Sequence, residues 1–375
     1  MATVVQPVGS RRVKVLVFPR DLTNPYQRLL YDEVEQLGVE VEYVPMPTSS
    51  QTQNLLLIPW VLLCRAVRGF RVFHVHWMYL FAPPWVRRVP AGRRLMELWS
   101  VVCFGVARLL GYRIVWTAHN IVPNSRVFTD DLAARRRLAR RASAVIAHSQ
   151  TAVTSLRSLG AADVRVVPMG SYAGEYPDTL DRSEARRRFG IGEHERVAVF
   201  VGAIAPYKGV DRLLEAVRRL PPGLPLRVVV AGRCQSSRLE QSLQSSAEAA
   251  GAQVLAHLGY IPDDELQVYL RCADVAVLPY RRITNSASVV LAASFGLPLV
   301  IPDLPALDDV PLEAAIRFAP GLEALVDALH RVALLDAGTL QRLARAASDY
   351  GRSLSWQRCA FSTVEVYRDV VAAAR

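Results

Sequence analysis

Short apolar runs alternate along this chain with longer stretches whose hydrophobic positions recur every three or four residues. Residues 13–18 are a short apolar run and read as a strand. Residues 25–37 follow, with Leu29, Leu30, Val34 and Leu37 near helical spacing. Residues 39–44, 72–76 and 113–117 read as further strands, 135–141 as the centre of a basic helix, and 143–148 and 164–167 as strands again. Strand–helix–strand repetition predicts a parallel sheet covered by helices. After Tyr172 the texture changes. Residues 174–191 (GEYPDTLDRSEARRRFGI) are polar and read as a linker with a short helix. The alternation then restarts, with strands at 196–201, 226–231, 254–258, 275–278 and 299–301 and helices between them. The last helix, 356–373, has no strand after it.

The expected architecture is α/β, with two doubly wound Rossmann-like domains facing across a cleft. The expected boundaries are 1–173, a linker at 174–191, 192–346, and C-terminal helices at 347–375 that pack back on the first domain. Ligands of such folds bind at the carboxyl ends of the strands. No GxGxxG follows either first strand, which disfavours a nicotinamide-dinucleotide enzyme.

Composition narrows the class. A chain of 375 residues that is 51% hydrophobic and 21% charged builds two or three cored domains and is not disordered. Five cysteines (64, 103, 234, 272, 359) are widely spaced and form no CxxC pair, which argues for reduced thiols in a cytosolic protein rather than disulfides or structural zinc. The basic pair and short apolar run at 11–18 read as a first strand rather than as a signal sequence. The longest apolar stretch, 55–64, is ten residues and contains Pro59, well short of the roughly 18–20 needed to span a bilayer. The expectation is a protein that is soluble or lies on a membrane surface.

Charge is unevenly placed. The net charge is +11, yet residues 1–172 hold 22 basic and 10 acidic residues while the remainder hold 23 and 24. Residues 51–113 contain nine Arg and one acid, Glu97, among LLLIPWVLLC, WMYLFAPPWV and LMELWSVVCFGVARLL. Arg interleaved with Trp, Leu and Phe suits an anionic bilayer surface. It equally suits a buried helix pair with solvated Arg outside. Nucleic acid is disfavoured, because no recognised nucleic-acid-binding pattern accompanies the charge.

Several positions carry candidate chemistry. In FVGAIAPYKG (200–209), Gly202 opens a turn after a strand, and Lys208 and Gly209 sit at a helix start, where free N–H groups, the helix dipole and an ammonium suit a diphosphate. In PYRRITNSAS (279–288), Asn285 or Ser286 is a natural N-cap, and the amides of Ser286, Ala287 and Ser288 offer a second anion site. In the first half, His119 follows a strand in WTAHN, and His148 ends another. His74 and His76 share one face of a strand; with no third ligand in view, they read as structural or acceptor-side groups rather than a metal site. Asp21, in FPRD, follows the first strand and could serve as a general base.

These stretches, with NPYQRLLY (24–31), FHVHW (73–77), VWTAHNIVP (115–123), VVPMGSY (166–172), VVAGR (229–233) and the run at 259–300 that ends in ASFGLPLV, resemble the GT-B fold glycosyltransferases. The similarity is strongest to glycosyltransferase family 4 and its bacterial exopolysaccharide relatives, including enzymes acting on polyprenyl-diphosphate-linked glycans. The resemblance implies a hexosyltransferase of polysaccharide biosynthesis, cytoplasmic and peripheral on the inner face of the membrane. The second domain would bind a nucleotide sugar through Gly202, Tyr207, Lys208, Gly209, Arg233, Tyr260, Ile261, Asn285, Ser286, Ala287 and Ser288. The first would bind a glycan or polyprenyl-linked glycolipid. His119 would face the donor sugar. Asp21, His119 and Asp130 are the candidate bases. No metal or cofactor is expected, and no nucleic-acid partner.

Two departures from the family pattern matter. Retaining members carry Glu–x7–Glu around the FGxP helix, and Ile283 and Leu291 stand at those positions here, which favours an inverting route. Ala203 stands where many relatives have Arg. GDP-mannose is the favoured donor by resemblance, with UDP-sugars open. A catalytically silent nucleotide-sugar-binding partner and a GT-B-like epimerase are the rival readings.

Overall fold

Strand β1 (Lys14–Phe18) is buried from Val15 to Phe18, as a parallel sheet covered on both faces requires. The computed structural model describes residues 12–22, 24–45, 51–78, 83–121 and 126–373. The N-terminal segment read above for an address (1–11), and residues 79–82 and 122–125 of the quoted stretches, lie outside the described residues. After β1 come α1 (Tyr26–Gln36), β2 (Glu40–Tyr43), α2 (Gln51–Leu56), α3 (Ile58–Val67), β3 (Val72–Val75), α4 (Pro84–Arg87), α5 (Pro90–Leu109), β4 (Arg113–Thr117), α6 (Asp131–Arg141), β5 (Ala144–Ala147), α7 (Gln150–Ser158) and β6 (Val164–Val166). These six strands form one parallel sheet in the order β2-β1-β3-β4-β5-β6.

The second sheet begins after α8 (Arg182–Arg188). It is built by β7 (Arg196–Val201), α9 (Val210–Arg218), β8 (Leu226–Ala231), α10 (Ser237–Ala250), β9 (Val254–His257), α11 (Leu266–Arg271), β10 (Val275–Val277), α12 (Ala287–Ser294), β11 (Leu299–Pro302), β12 (Ala315–Phe318), α13 (Leu322–Ala333) and α14 (Ala337–Ser353). Its order is β12-β11-β10-β7-β8-β9, parallel throughout. The last helix, α15 (Trp356–Ala372), packs on α1 and on β4 and β5 of the first sheet.

The chain divides into two units, one running to Gly170 and taking in Trp356 onward, the other Ser171–Ser355. These bounds differ from the sequence reading in two places. Residues 174–191 are not a separate linker: α8 belongs to the second unit and buries Ala185 and Arg186. Their polar composition hides a buried guanidinium, which donates to the carbonyls of Cys272, Gly192 and Glu193 and to Asp274. The boundary at 346/347 falls inside α14, which packs on α12, so only α15 joins the first unit. The pattern also passes over β12, a short strand interrupted by Arg317.

The arginine-rich segment 51–113 forms α2 to α5 and the start of β4. Ile58, Val61 and Leu62 of α3 and Met96, Cys103 and Phe104 of α5 are buried. The Trp99 indole N–H donates to the Leu55 carbonyl at 3.1 Å, joining the two helical stretches. Their outer faces are not simply solvated Arg. Leu56, Trp60, Leu63, Val67, Trp85, Leu95, Leu98 and Val102 are exposed, the two tryptophans at 63% and 64%. No helix among the described residues is long and apolar enough to cross a membrane. The five cysteines are free thiols; Cys103, Cys272 and Cys359 are buried.

Candidate functional site

In the second sheet, β8 and β9 lie on one side of β7, and β10 to β12 on the other. The strand order reverses between β7 and β10, and ligands of such sheets bind at the carboxyl ends of the strands flanking that point. Both glycine- and serine-rich loops emerge there. Gly202 follows β7 with φ 125°, and Lys208 closes a single tight turn, Pro206–Lys208, before Gly209 caps α9. A methyl group added to Gly202 would lie 3.2 Å from Ser288 Oγ and 3.8 Å from Lys208 Nζ. The bare backbone, the hydroxyl and the ammonium therefore border one small space. Lys208 Nζ sits 5.8 Å from the centroid of the buried Phe200 ring, and desolvation lowers the ammonium's pKa to about 8. Among the described residues it pairs with no carboxylate. A poorly hydrated, unpaired ammonium favours an anion beside it.

The loop after β10 is locked to the loop after β7. The Arg281 amide donates to the Tyr207 carbonyl at 2.8 Å, and its guanidinium donates to the Pro206 carbonyl at 3.3 Å and pairs with Asp211. Ser286, not Asn285, caps α12: its Oγ accepts from the Val289 amide at 3.1 Å. The buried Tyr280 hydroxyl lies 2.7 Å from Ser286 Oγ, and burial raises its pKa to about 12 against the opposing hydrogen bonds from Ser286 and Ser288. The first turn of α12, at Ala287 and Ser288, presents amides without intrahelical partners. Gly232, at the end of β8, lets the two turns meet; a methyl there would lie 1.9 Å from the Gly202 carbonyl oxygen. The Arg233 carbonyl accepts from the Ile204 amide at 2.8 Å while its side chain is exposed. Tyr260 is exposed, whereas Ile261 is a buried core side chain. Ile283 and Leu291 pack against the same core.

In the first sheet the order reverses between β1 and β3. Asp21 lies just beyond β1, in a turn braced by the buried Gln27, whose amide donates to the Pro19 carbonyl at 2.7 Å and whose oxygen accepts from the Asp21 amide at 2.8 Å. Histidines stand in or just beyond the ends of β3, β4 and β5: His74 and His76, His119, and His148. The four are buried. Tyr31 OH lies 2.8 Å from His74 Nδ1 and 2.7 Å from His76 Nε2. Tyr367 OH, from α15, lies 2.5 Å from His74 Nδ1, and Thr117 Oγ1 lies 2.7 Å from His74 Nε2. His76 Nδ1 lies 3.0 Å from His119 Nε2. The Trp77 ring stacks on His119 with centroids 4.6 Å apart, and Tyr26 meets it edge-on at 4.7 Å.

Burial, reinforced by the neighbouring imidazoles, holds the His74 pKa down at about 3 and those of His76 and His119 well below the usual value. His148 is lowered to about 4 by burial, against the Val167 carbonyl that its Nδ1 meets at 2.8 Å. All four imidazoles are therefore neutral near pH 7. Asp130 lies elsewhere: its carboxylate caps α6 by accepting from Ala133 at 2.8 Å. It lines a cavity of about 360 Å³ with Arg94, Glu97, Arg137 and Arg141, and among the described residues no hydrogen bond links it to the histidines. Among the described residues no group of three His, Cys, Asp or Glu is placed to hold a metal ion.

Sequence reasoning singled out the histidines but not their partners. Tyr26, Gln27 and Tyr31 all stand on the buried face of α1, within the quoted NPYQRLLY. Their positions on that face are the signal that could have found them. Tyr367 lies 293 residues from His74 and carries no local signal.

Comparison with known proteins agrees with this geometry. Residues 181–349 match the family model described as glycosyl transferases group 1. The chain is 25% identical over 309 residues to a GDP-mannose:glycolipid 4-beta-D-mannosyltransferase of Xanthomonas campestris pv. campestris, covering 80% of this chain and 76% of that one. It is 25% identical over 390 residues to a D-inositol 3-phosphate glycosyltransferase of Corynebacterium aurimucosum, covering 96% and 87%. The fold is similar to that of the Anabaena protein Alr3699/HepE, solved in complex with UDP and glucose, with a TM-score of 0.70, 18% identity, and coverage of 96% and 100%. Residues 181–349 thus match the glycosyl transferases group 1 family model, and the chain is a glycosyltransferase of the GT-B fold.

Proposed function

We propose that the enzyme moves a hexose from a nucleotide sugar, GDP-mannose first among the candidates, to a glycan or polyprenyl-linked glycolipid, with inversion at the anomeric carbon and without a metal or other cofactor. The observation that carries this reading is Lys208, an unpaired, desolvated ammonium beside Gly202 and Ser288 where the strand order reverses. As the bond from the anomeric carbon to the diphosphate breaks, negative charge grows on the leaving nucleoside diphosphate. Lys208 and the amides at the start of α12 would stabilise it there. The attacking acceptor hydroxyl loses its proton to a base, and Asp21 is the carboxylate we assign. The apolar Ile283 and Leu291, where retaining relatives carry glutamates, support the inverting route. The named mannosyltransferase relative supports the donor choice.

We assign the acceptor side to an anionic membrane surface on its cytoplasmic face. Exposed Trp60, Trp85, Leu63 and Leu98 accompany Arg88, Arg94 and Arg108, which form no ion pair among the described residues. Apolar side chains that can insert, ringed by unpaired cations, match a bilayer interface.

The test is release of nucleoside diphosphate from GDP-mannose and from UDP-sugars in the presence of a polyprenyl-diphosphate glycan. GDP release that depends on acceptor and is lost in Asp21→Asn supports the reading. Release from UDP-sugars alone would overturn the donor assignment, and an undiminished Asp21→Asn would overturn the base.

A further inference from the structure

The four imidazoles of the first unit are neutral, so each carries one ring proton, and the hydrogen bonds decide where it sits. His74 Nδ1 faces two phenol hydroxyls, Tyr367 at 2.5 Å and Tyr31 at 2.8 Å. A phenol is a better donor than acceptor, so Nδ1 is the bare nitrogen and Nε2–H donates to Thr117 Oγ1. The shorter contact assigns the Tyr367 proton to His74. Tyr31 also meets the Tyr367 hydroxyl, but the imidazole nitrogen of His76, Nε2 at 2.7 Å, is the stronger acceptor and takes the Tyr31 proton. With Nε2 accepting, His76 holds its proton on Nδ1 and donates it across 3.0 Å to His119 Nε2. The remaining nitrogen of His119, Nδ1, must then carry that ring's proton. It makes no hydrogen bond among the described residues, which leaves its proton available to a ligand. His148 cannot reverse this order. Its Nδ1 faces the Val167 carbonyl and must donate, leaving Nε2 without a proton to offer.

We propose that Tyr31 and His76 are positioning residues that fix His119 in its Nδ1–H tautomer, making it a hydrogen-bond donor to a substrate oxygen rather than the base that accepts the proton of the attacking hydroxyl. The ligand class is an oxygen acceptor on a sugar, such as a ring-substituent hydroxyl or its developing alkoxide. The functional half of this inference rests on the glycosyl-transfer reading; the tautomer assignment does not.

The test separates the two. Long-range proton–nitrogen correlation on the full chain, with ring-labelled histidine, reads each tautomer without turnover. The expected pattern is Nδ1–H at His119 and His76, and Nε2–H at His74. Nε2–H at His119 in the unaltered protein would overturn the proposal outright.

Tyr31→Phe removes the donor to His76 and should leave His119 as a mixture of tautomers. It should lower kcat roughly tenfold, about the contribution of one hydrogen bond, with little change in KM. His76→Asn places an amide N–H where Nδ1–H stood and should keep both the His119 tautomer and most of kcat, whereas His76→Leu should lose both. Loss of kcat in His76→Asn and His76→Leu alike, with the His119 signal unmoved, would mean that His76 only fills space.

Discussion

Arg186 Nη2 donates to Asp274 Oδ2 across 2.9 Å, with the arginine fully buried and the aspartate 6% exposed. The same carboxylate accepts from the Val197 amide at 2.8 Å and from Arg182 at 2.7 Å. This pair clamps α8 to the ends of β7 and β10. Asp274→Ala would leave a buried guanidinium without its counter-charge. Losses of about 3–5 kcal/mol are usual for such a break. Urea unfolding should show that loss, and a change of less than about 1 kcal/mol would contradict a buried, structural pair.

Gly232 lies against Gly202 so closely that Gly232→Ala would place a methyl 1.9 Å from the Gly202 carbonyl oxygen. Its φ of 146° adds backbone strain for any residue with a Cβ. The turn carrying Gly202 must shift, and with it the space beside Lys208. Nucleoside-diphosphate affinity should fall at least tenfold, while a far-UV circular dichroism spectrum stays native. Unchanged affinity would mean that this turn does not border the ligand.

Acid should destabilise the first unit well before its carboxylates protonate. In the unfolded chain histidine titrates near pH 6.5, whereas folded His74 and His148 hold out to about 3 and about 4. As pH falls from 6.5 towards 4 the unfolded state takes up protons that the folded state refuses. Each of these histidines then subtracts stability at about 1.4 kcal/mol per pH unit. The loss levels off below the folded pKa. His148→Gln should flatten the slope of unfolding free energy between pH 6.5 and 4; an unchanged slope would show that His148 is already charged when folded.

Membrane docking has a direct test in flotation with liposomes containing anionic lipid. Binding at low salt should weaken as salt rises, and should be lost when Trp60 and Trp85 are both changed to Ser. Binding that survives both substitutions would place the contact elsewhere, and no binding at low salt would reject the surface assignment.

How far the sequence carried depended on whether a feature was local. The strands announced themselves because each is a short apolar run, and β7 and β8 match their sequence bounds. The turn at Gly202–Gly209 and the serines opening α12 were legible because glycine, lysine and hydroxyl residues follow a strand directly. Arg186 was not, because a lone arginine in a polar segment looks solvated until its partner, 88 residues on, is in place. The histidines could be picked out at strand ends, but their tautomers depend on Tyr31 and Tyr367, which only the packing of α1 and α15 brings to them. A carboxylate after a loop, such as Asp130, has the same sequence signature whether it caps a helix or serves as a base.

The central claim is that Lys208 neutralises the diphosphate of the donor, and nucleoside-diphosphate binding to the unaltered protein and to Lys208→Ala tests it most directly. Its pKa of about 8 in the free protein sharpens the test. At pH 7 the ammonium is about nine-tenths charged and at pH 8 about half. Above 8 the free protein must take up a proton to bind, so affinity should decline and calorimetric heats should vary with buffer ionisation. The account predicts that GDP or UDP stabilises the unaltered protein, by about 2.7 kcal/mol at a hundredfold excess over Kd, and that Lys208→Ala abolishes both this stabilisation and the decline above pH 8. Equal binding by the two proteins, with the same pH dependence, would contradict it.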